Sequence, residues 1–286
     1  MKDLVTKLTL TLRMIKIEHS VFALPFALIS MLVAAHGLPS ARILLWIVVA
    51  MIAARSCAMA FNRLADLSFD RLNPRTKNWP LPSGLLSRGF VIAFVLVSAA
   101  ILVLAASQLN RLALLLSPVA LAVICLYSLT KRFTFFSHWF LGLALAIAPA
   151  GAWIAVRGTL DRPPLILCAA ILFWTAGFDL IYSCQDSDFD REHHLYSIPS
   201  RFGIPAALWI SALCHVITVG LLLWFGREAA LGTWYFAGCA LVAALLAYEH
   251  TLVKPRDLSR VNEAFFTVNG LISVLLLLAT SLDLYL

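Results

Sequence analysis

Nine runs of roughly twenty mostly apolar residues follow one another along the 286-residue chain, at 18–36, 41–62, 89–108, 112–130, 138–156, 163–184, 204–225, 230–249 and 262–283. A helix of about 20 residues is what the ~30 Å hydrocarbon core of a bilayer requires. In lipid the backbone must satisfy its own polar groups, which leaves helices or a closed barrel. The runs are continuously apolar rather than alternating over ~10-residue segments, so a barrel is disfavoured. Only short connections remain between the runs, apart from 63–88 and 185–203. With 62% hydrophobic and 13% charged residues, a water-soluble globule and a disordered chain are both excluded as expectations. The expected architecture is an all-α polytopic membrane protein, nine transmembrane helices around a central cavity, with 1–286 as a single domain. Residues 1–17 carry charges throughout and lack the apolar core of a secretory leader.

Orientation follows from Lys and Arg. If the N-terminus is inside, 16 of the 22 basic residues fall on that side and 5 on the other, with Arg55 inside a span. That bias predicts an N-terminus in the cytoplasm by the positive-inside rule. The positive charge is therefore read as topology first, and nucleic acid is not expected as a partner. The six cysteines lie in or at the ends of spans without metal-like spacing, so neither disulfides nor zinc are expected.

The fifteen acids carry more information. Nine are scattered, but six gather in two segments at span ends. The first holds Asp66 and Asp70, with Asn62 one step before them. The second holds Asp179, Asp186, Asp188 and Asp190. Steps of four residues drift only ~40° around a helix, so Asn62, Asp66 and Asp70 share one stripe. Asp179, Asp186 and Asp190 share another, with Asp188 pointing away. Like charges at i,i+4 repel, and carboxylates near a bilayer are costly unless partnered. Divalent cations resolve both problems. Mg²⁺ takes oxygen ligands and is typically held by carboxylates together with substrate phosphates. Arg71, Arg75, Lys77, Arg191, Arg201, Lys131 and Arg132 lie on the same side of the membrane. Acids, Mg²⁺ and cations around one pocket describe a diphosphate site; the alternative is that acids and cations merely pair to hold loops.

These segments resemble a known family. The run from Asn62 through Asp66 and Asp70 to Gly84, and the run Asp179-Leu-Ile-Tyr182-Ser-Cys-Gln185-Asp186-Ser-Asp-Phe-Asp190 followed by Ser197 to Gly203, are similar to the two aspartate-rich motifs of the UbiA superfamily of intramembrane aromatic prenyltransferases. Tyr127-Ser-Leu-Thr-Lys131-Arg132 resembles the element after the fourth span, and His138 to Gly142 follows as expected. The likeness covers essentially the whole chain in order. It departs at Trp79, where the family usually has Arg, and at Asn73, usually aliphatic; Arg75 or Lys77 is then left to replace the missing cation.

The resemblance implies a UbiA-like fold and a reaction. Two Mg²⁺ ions hold the diphosphate of a polyprenyl donor, ionisation leaves an allylic cation, and an electron-rich ring attacks it at carbon. By that likeness Asn62, Asp66, Asp70, Asp186 and Asp190 coordinate metal. Asp179, set deeper, orients the acceptor or acts as a base, and Gln185 supports the second metal. Arg71, Lys77, Lys131, Arg132 and Arg201 are diphosphate contacts, Arg132 alternatively reading an acceptor carboxylate. Tyr127 and Tyr182 donate hydrogen bonds to phosphate or acceptor. His193 and His194 are expected in a solvent-facing loop, His138 as an orienting residue, and Arg55 as a structural charge or a cavity residue.

The implied partners are a polyprenyl diphosphate, a small aromatic acid and the lipid bilayer. The acceptor of closest resemblance is 4-hydroxybenzoate. The run Met14 to Phe26 looks more like a branch thought to prenylate 1,4-dihydroxy-6-naphthoate in a menaquinone route. A transporter is the competing class, since intramembrane acids mark ion pathways. Its acids belong near the midplane, whereas these sit at span ends. The expected location is the cytoplasmic (inner) membrane, the active site facing the cytoplasm.

Overall fold

The computed structural model describes residues 2–15 and 22–286. Helix α1 spans Lys2–Ile15, α2 Leu24–Ala35, α3 Ala41–Ala65, α4 Leu67–Asp70, α5 Arg88–Leu109, α6 Arg111–Leu126 and α7 Ser137–Arg157. They are followed by α8 Arg162–Ser183, α9 Ser187–Glu192, α10 Ile198–Phe202, α11 Ile204–Glu228, α12 Thr233–Leu252 and α13 Asn269–Tyr285. Short 3₁₀ turns at Tyr127–Arg132 and Cys184–Asp186, and a π-turn at Glu263–Val268, adjoin α6, α8 and α13.

Local sequence accounts for the boundaries. The side chains of Ser40, Ser87 and Asn110 accept from the backbone N–H three residues on, starting α3, α5 and α6. Proline occupies the first turn of α2, α8, α10 and α11, where no amide hydrogen is needed. Gly158, at φ 72°, closes α7 in the left-handed conformation that favours glycine.

Among the described residues, eight helical segments are long and apolar enough to cross a membrane, from Ala41–Ala65 to Glu263–Tyr285. The expected first span, 18–36, is not among them. Its described part is the 12-residue α2, too short to cross a bilayer by itself, and residues 16–21 of the Met14–Phe26 run lie outside the described residues. Nine of the twelve α2 residues are buried. Helix α2 packs chiefly on α7 and α13, so its apolarity serves the protein interior. Hydropathy alone does not separate a buried helix from a lipid-facing one.

The core centres on α8. Its apolar stretch is 61% buried, against 17% for the span beginning at Arg111. Trp174 and Phe178 of α8 join Phe225, Tyr235 and Ile272 from α11, α12 and α13 in the largest apolar cluster. Two glycines permit the approach of its neighbours. A Cβ at Gly142 would run into the backbone of Leu172, and one at Gly177 into the ring of His215. Helices α7 and α11 are thereby drawn onto α8, and Asp179, Asp186 and Asp190 line the same cavity as the end of α3. The outer faces of α5 and α6 show large apolar side chains such as Leu96 and Leu115, as a lipid-facing surface does.

Candidate functional site

The first wall of the site is the end of α3. Helix α3 stops at Ala65, and Asp66 takes φ −91°, ψ 6°. The i→i−4 bonds nevertheless continue, Asp66 N to Asn62 O at 2.9 Å and Asp70 N to Asp66 O at 2.8 Å. The stripe of Asn62, Asp66 and Asp70 therefore survives the break. Asn62 Nδ2 donates to Asp66 Oδ2 at 3.0 Å. The second wall runs from Asp179 on α8 through Asp186 in its 3₁₀ turn to Asp190 on α9. Asp188 is 95% exposed and paired with Arg191, pointing away as the spacing requires. The 3₁₀ turn after α6 supplies Tyr127, Lys131 and Arg132, and the segment after α4 supplies Asn73, Arg75 and Trp79.

These walls enclose a cavity of about 560 Å³. Asn62, Asp66, Asp70, Tyr127, Lys131, Arg132, Asp179, Tyr182, Asp186 and Asp190 all line it. Arg71, Lys77 and Arg201 do not; they are exposed, and Arg201 lies over the rings of Phe135 and Phe202. Gln185 is half-buried and donates to the Tyr182 carbonyl at 3.3 Å. Arg55 lines the cavity. His193 packs its ring on Phe189 beside the mouth, 4.0 Å between centroids.

Arginine and lysine knit the two acidic walls together. Arg75 Nε and Nη2 grip Asp186 at 3.1 and 2.6 Å, and its Nη1 donates to Tyr182 Oη at 3.2 Å. Asn73 Nδ2 reaches the same carboxylate at 3.4 Å. Arg63 Nη1 bridges to Asp70 at 3.2 Å and its guanidinium lies over Trp79 at 4.4 Å. Lys131 Nζ is 3.6 Å from Asp190, and Arg132 Nη2 is 3.9 Å from Asp66 while also donating to the Ala65 carbonyl. Ser197 Oγ donates to Asp190 at 2.9 Å. Asp179 is held differently, by His138 Nδ1 at 2.7 Å.

Arg63 and Ser197 are contacts of the site that pattern reading does not pick out. Arg63 is one of the positive-inside charges and lies two turns before Asp70 on the same face; Ser197 gives no local signal, because its partner is set by packing. His138, expected as an orienting residue, meets Asp179. Of the two proposed replacements for the missing cation at Trp79, Arg75 stands in the cavity and Lys77 outside it.

Five carboxylates and five permanent cations line the cavity, so it is near neutral as it stands. Among the described residues no three His, Cys, Asp or Glu side chains are grouped closely enough to hold an ion by themselves. The donor set still fits Mg²⁺ bound together with phosphate: hard oxygens on facing walls, with room for ligands the substrate brings. Roughly, a diphosphate adds three negative charges and two Mg²⁺ four positive ones, leaving the balance little changed. The Asp66 carboxyl is pushed up to about 6, first by burial, against the pull of Arg63, Lys131 and Arg132 and with the help of Asp70. Its side chain keeps 32% exposure, because protein surrounds it on most sides while the cavity stays open on one.

A metal ion held at Asp66 would compete there with a proton. Below about pH 6 the carboxyl is protonated and above it ionised, so the affinity for a Mg²⁺ ion held there would weaken as pH falls. Mg²⁺ titrations at steps between about pH 5 and pH 8 should give an apparent Kd rising up to ~10-fold per unit on the acid side. A Kd flat from pH 7 to pH 5 contradicts this.

Residues 23–271 match the UbiA prenyltransferase family. The chain belongs to that family. It is 33% identical over 246 residues to a 4-hydroxybenzoate octaprenyltransferase of Vibrio cholerae, covering 84% of each chain. It is 30% identical over 278 residues to the 4-hydroxybenzoate octaprenyltransferase of Burkholderia ambifaria, covering 95% of this chain and 94% of that one. Among solved structures, the apo structure of a UbiA homolog from Aeropyrum pernix superposes with a TM-score of 0.85 at 33% identity, over 93% of this chain and 98% of that one. A UbiA homolog from Archaeoglobus fulgidus bound to DMAPP and Mg²⁺ shares the fold, with a TM-score of 0.78 at 20% identity over 96% and 98% of the two chains. The UbiA fold, integral to the membrane, and the prenyltransferase class are thus established for this chain, and a transporter is not favoured.

Proposed function

We propose that this UbiA enzyme transfers a polyprenyl group from its diphosphate to a ring carbon of an aromatic hydroxy acid of the 4-hydroxybenzoate type, for quinone synthesis. The observation that carries the reading is the two-part character of the cavity. One end gathers the five carboxylates and five cations. The other is walled by apolar side chains such as Ile47, Met51, Leu116, Ala120, Ile147 and Leu160, a surface suited to an isoprenoid tail. The 4-hydroxybenzoate relatives support the acceptor class, and the Mg²⁺-bound homolog supports the metal.

In this reading Asn62, Asp66, Asp70, Asp186 and Asp190 hold Mg²⁺, which neutralises and polarises the departing diphosphate. Arg75, Lys131 and Arg132 exchange carboxylate oxygens for phosphate oxygens as the substrate enters. Tyr127 and Tyr182 donate to phosphate or acceptor. The faces of Phe178, Tyr182 and Phe265, all on the cavity wall, suit an allylic cation, and the apolar limb keeps water from it. Arg71, Lys77, Gln185 and Arg201 are left with supporting or topological roles. The cytoplasmic membrane, an N-terminus inside and a site open to the cytoplasm follow from the positive-inside bias.

The test uses the full chain in detergent or nanodiscs, with Mg²⁺, a long-chain prenyl diphosphate, and 4-hydroxybenzoate in competition with 1,4-dihydroxy-6-naphthoate. Prenylated hydroxybenzoate as the main product is expected. Exclusive prenylation of the naphthoate overturns the acceptor assignment, and no Mg²⁺-dependent product with either overturns the function.

A further inference from the structure

The cavity carboxylates differ in their partners. Asp66, Asp70, Asp186 and Asp190 each face an Arg or Lys, with contacts of 3.9, 3.2, 2.6 and 3.6 Å. Asp179 faces an imidazole instead. Lys131 is near enough to interact with Asp179 through space, but its ammonium bridges Asp190.

The imidazole is itself fixed. His138 is wholly buried on α7. Its Nδ1 lies 2.7 Å from Asp179 Oδ2, and its Nε2 accepts the backbone N–H of Ile198 at 3.4 Å. With Nε2 accepting from Ile198, Nδ1 is the nitrogen placed to donate to Asp179. That hydrogen bond orients the Asp179 carboxylate. The bond uses Oδ2, and the Asp179 side chain lines the cavity with 18% exposure.

Position matters as well. Asp179 lies seven residues before Asp186, two turns or ~10 Å along α8 toward the apolar limb. The carbon that leaves the diphosphate lies on that side of the phosphates, and so must the ring that attacks it.

Resting on the prenyl-transfer reading above, we infer that Asp179 is the base that restores the aromatic ring and that His138 is the positioning residue that aims it. The electron balance is simple. The ring's π pair forms the new bond to the allylic carbon, and the carbon–oxygen bond breaks with its pair leaving on pyrophosphate. The substituted ring carbon then loses its hydrogen as a proton to the Asp179 carboxylate, and the C–H pair returns to the ring. The proton passes to water when the products leave.

The experiment pairs Asp179→Asn and His138→Phe with an acceptor deuterated at the ring carbon that is substituted. Asp179→Asn should lower kcat for transfer by about 10²-fold or more, with KM for the prenyl diphosphate within about threefold of wild type. His138→Phe should lower kcat less and show a primary deuterium isotope effect larger than that of wild type, because a misaimed base makes proton removal slow. Loss of packing alone does not produce an isotope effect. Asp179→Asn transferring at near wild-type rate, or losing diphosphate affinity in parallel with kcat, overturns the assignment. So does an unchanged isotope effect in His138→Phe; if that variant does not accumulate, Asp179→Asn decides alone. Failure of wild-type enzyme to prenylate any aromatic acceptor defeats the underlying function instead, so the two failures are separable.

Discussion

Asp186→Asn and Asp66→Asn should each lower kcat/KM for prenyl transfer by at least about 10²-fold, the scale of losing one preorganised electrostatic contact in a closed site. Two effects act together. The amide is a poor Mg²⁺ ligand beside a carboxylate. Each change also strips a cation of its partner: Arg75 loses a two-point grip on Asp186, and Arg132 loses Asp66. A cation left without its counter-charge in a partly buried site is costly. Asp188→Asn is the matched control, since that side chain is 95% exposed and should change activity by less than about twofold. Steady-state rates across a Mg²⁺ series check the set. Wild-type rates and an unaltered Mg²⁺ requirement in both site variants would falsify the metal assignment.

Arg75→Gln should have the second largest effect, again about 10²-fold in kcat/KM, expressed mainly as a higher KM for the prenyl diphosphate. Arg75 is a third exposed on the cavity side and holds Asp186, Tyr182 and the edge of Trp79 within reach. It is placed to trade Asp186 for a phosphate without moving its backbone. The fork of a guanidinium suits that exchange better than an amide does. Lys77→Gln, two residues away in sequence but exposed outside the cavity, should stay within about twofold. Equal losses in the two variants would mean that the surface charge of the whole segment matters, rather than the Arg75 grip.

The contrast between Arg75 and Lys77 shows where sequence reading runs out. Both follow Asp70 closely, both are basic, and Trp79 vacates the usual cation position. Nothing local ranks them. Asn73 and Thr76 do so in the folded chain, Asn73 Oδ1 accepting from the Arg75 backbone N–H at 2.9 Å and Thr76 Oγ1 donating to the Asp70 carbonyl at 2.9 Å. These bonds turn the segment so that 75 faces Asp186 and 77 faces out. Arg201 is a similar case: it follows the second motif, but the short α10 lays it over Phe135 and Phe202.

The two acidic stripes, by contrast, were legible in full. All five aspartates and Asn62 line one cavity, and Asp188 points away. Hydropathy and the 3.6-residue period are local properties, so they survive without knowledge of the neighbours. The same locality explains why hydropathy alone does not settle the run at 18–36. An apolar run looks alike whether it faces lipid or protein, and α2 spends its apolar surface on α7 and α13.

The sequence by itself therefore determined the membrane class, the helical spans, the two carboxylate stripes and the family likeness. The tertiary structure decided who meets whom. Asp186 receives Arg75 from 111 residues away, and Asp179 receives His138 from 41. Those meetings depend on how closely α7, α8 and α11 approach, which Gly142 and Gly177 permit. A charge can be read from the chain, but its partner is chosen by distance, and distance exists only once the helices have packed.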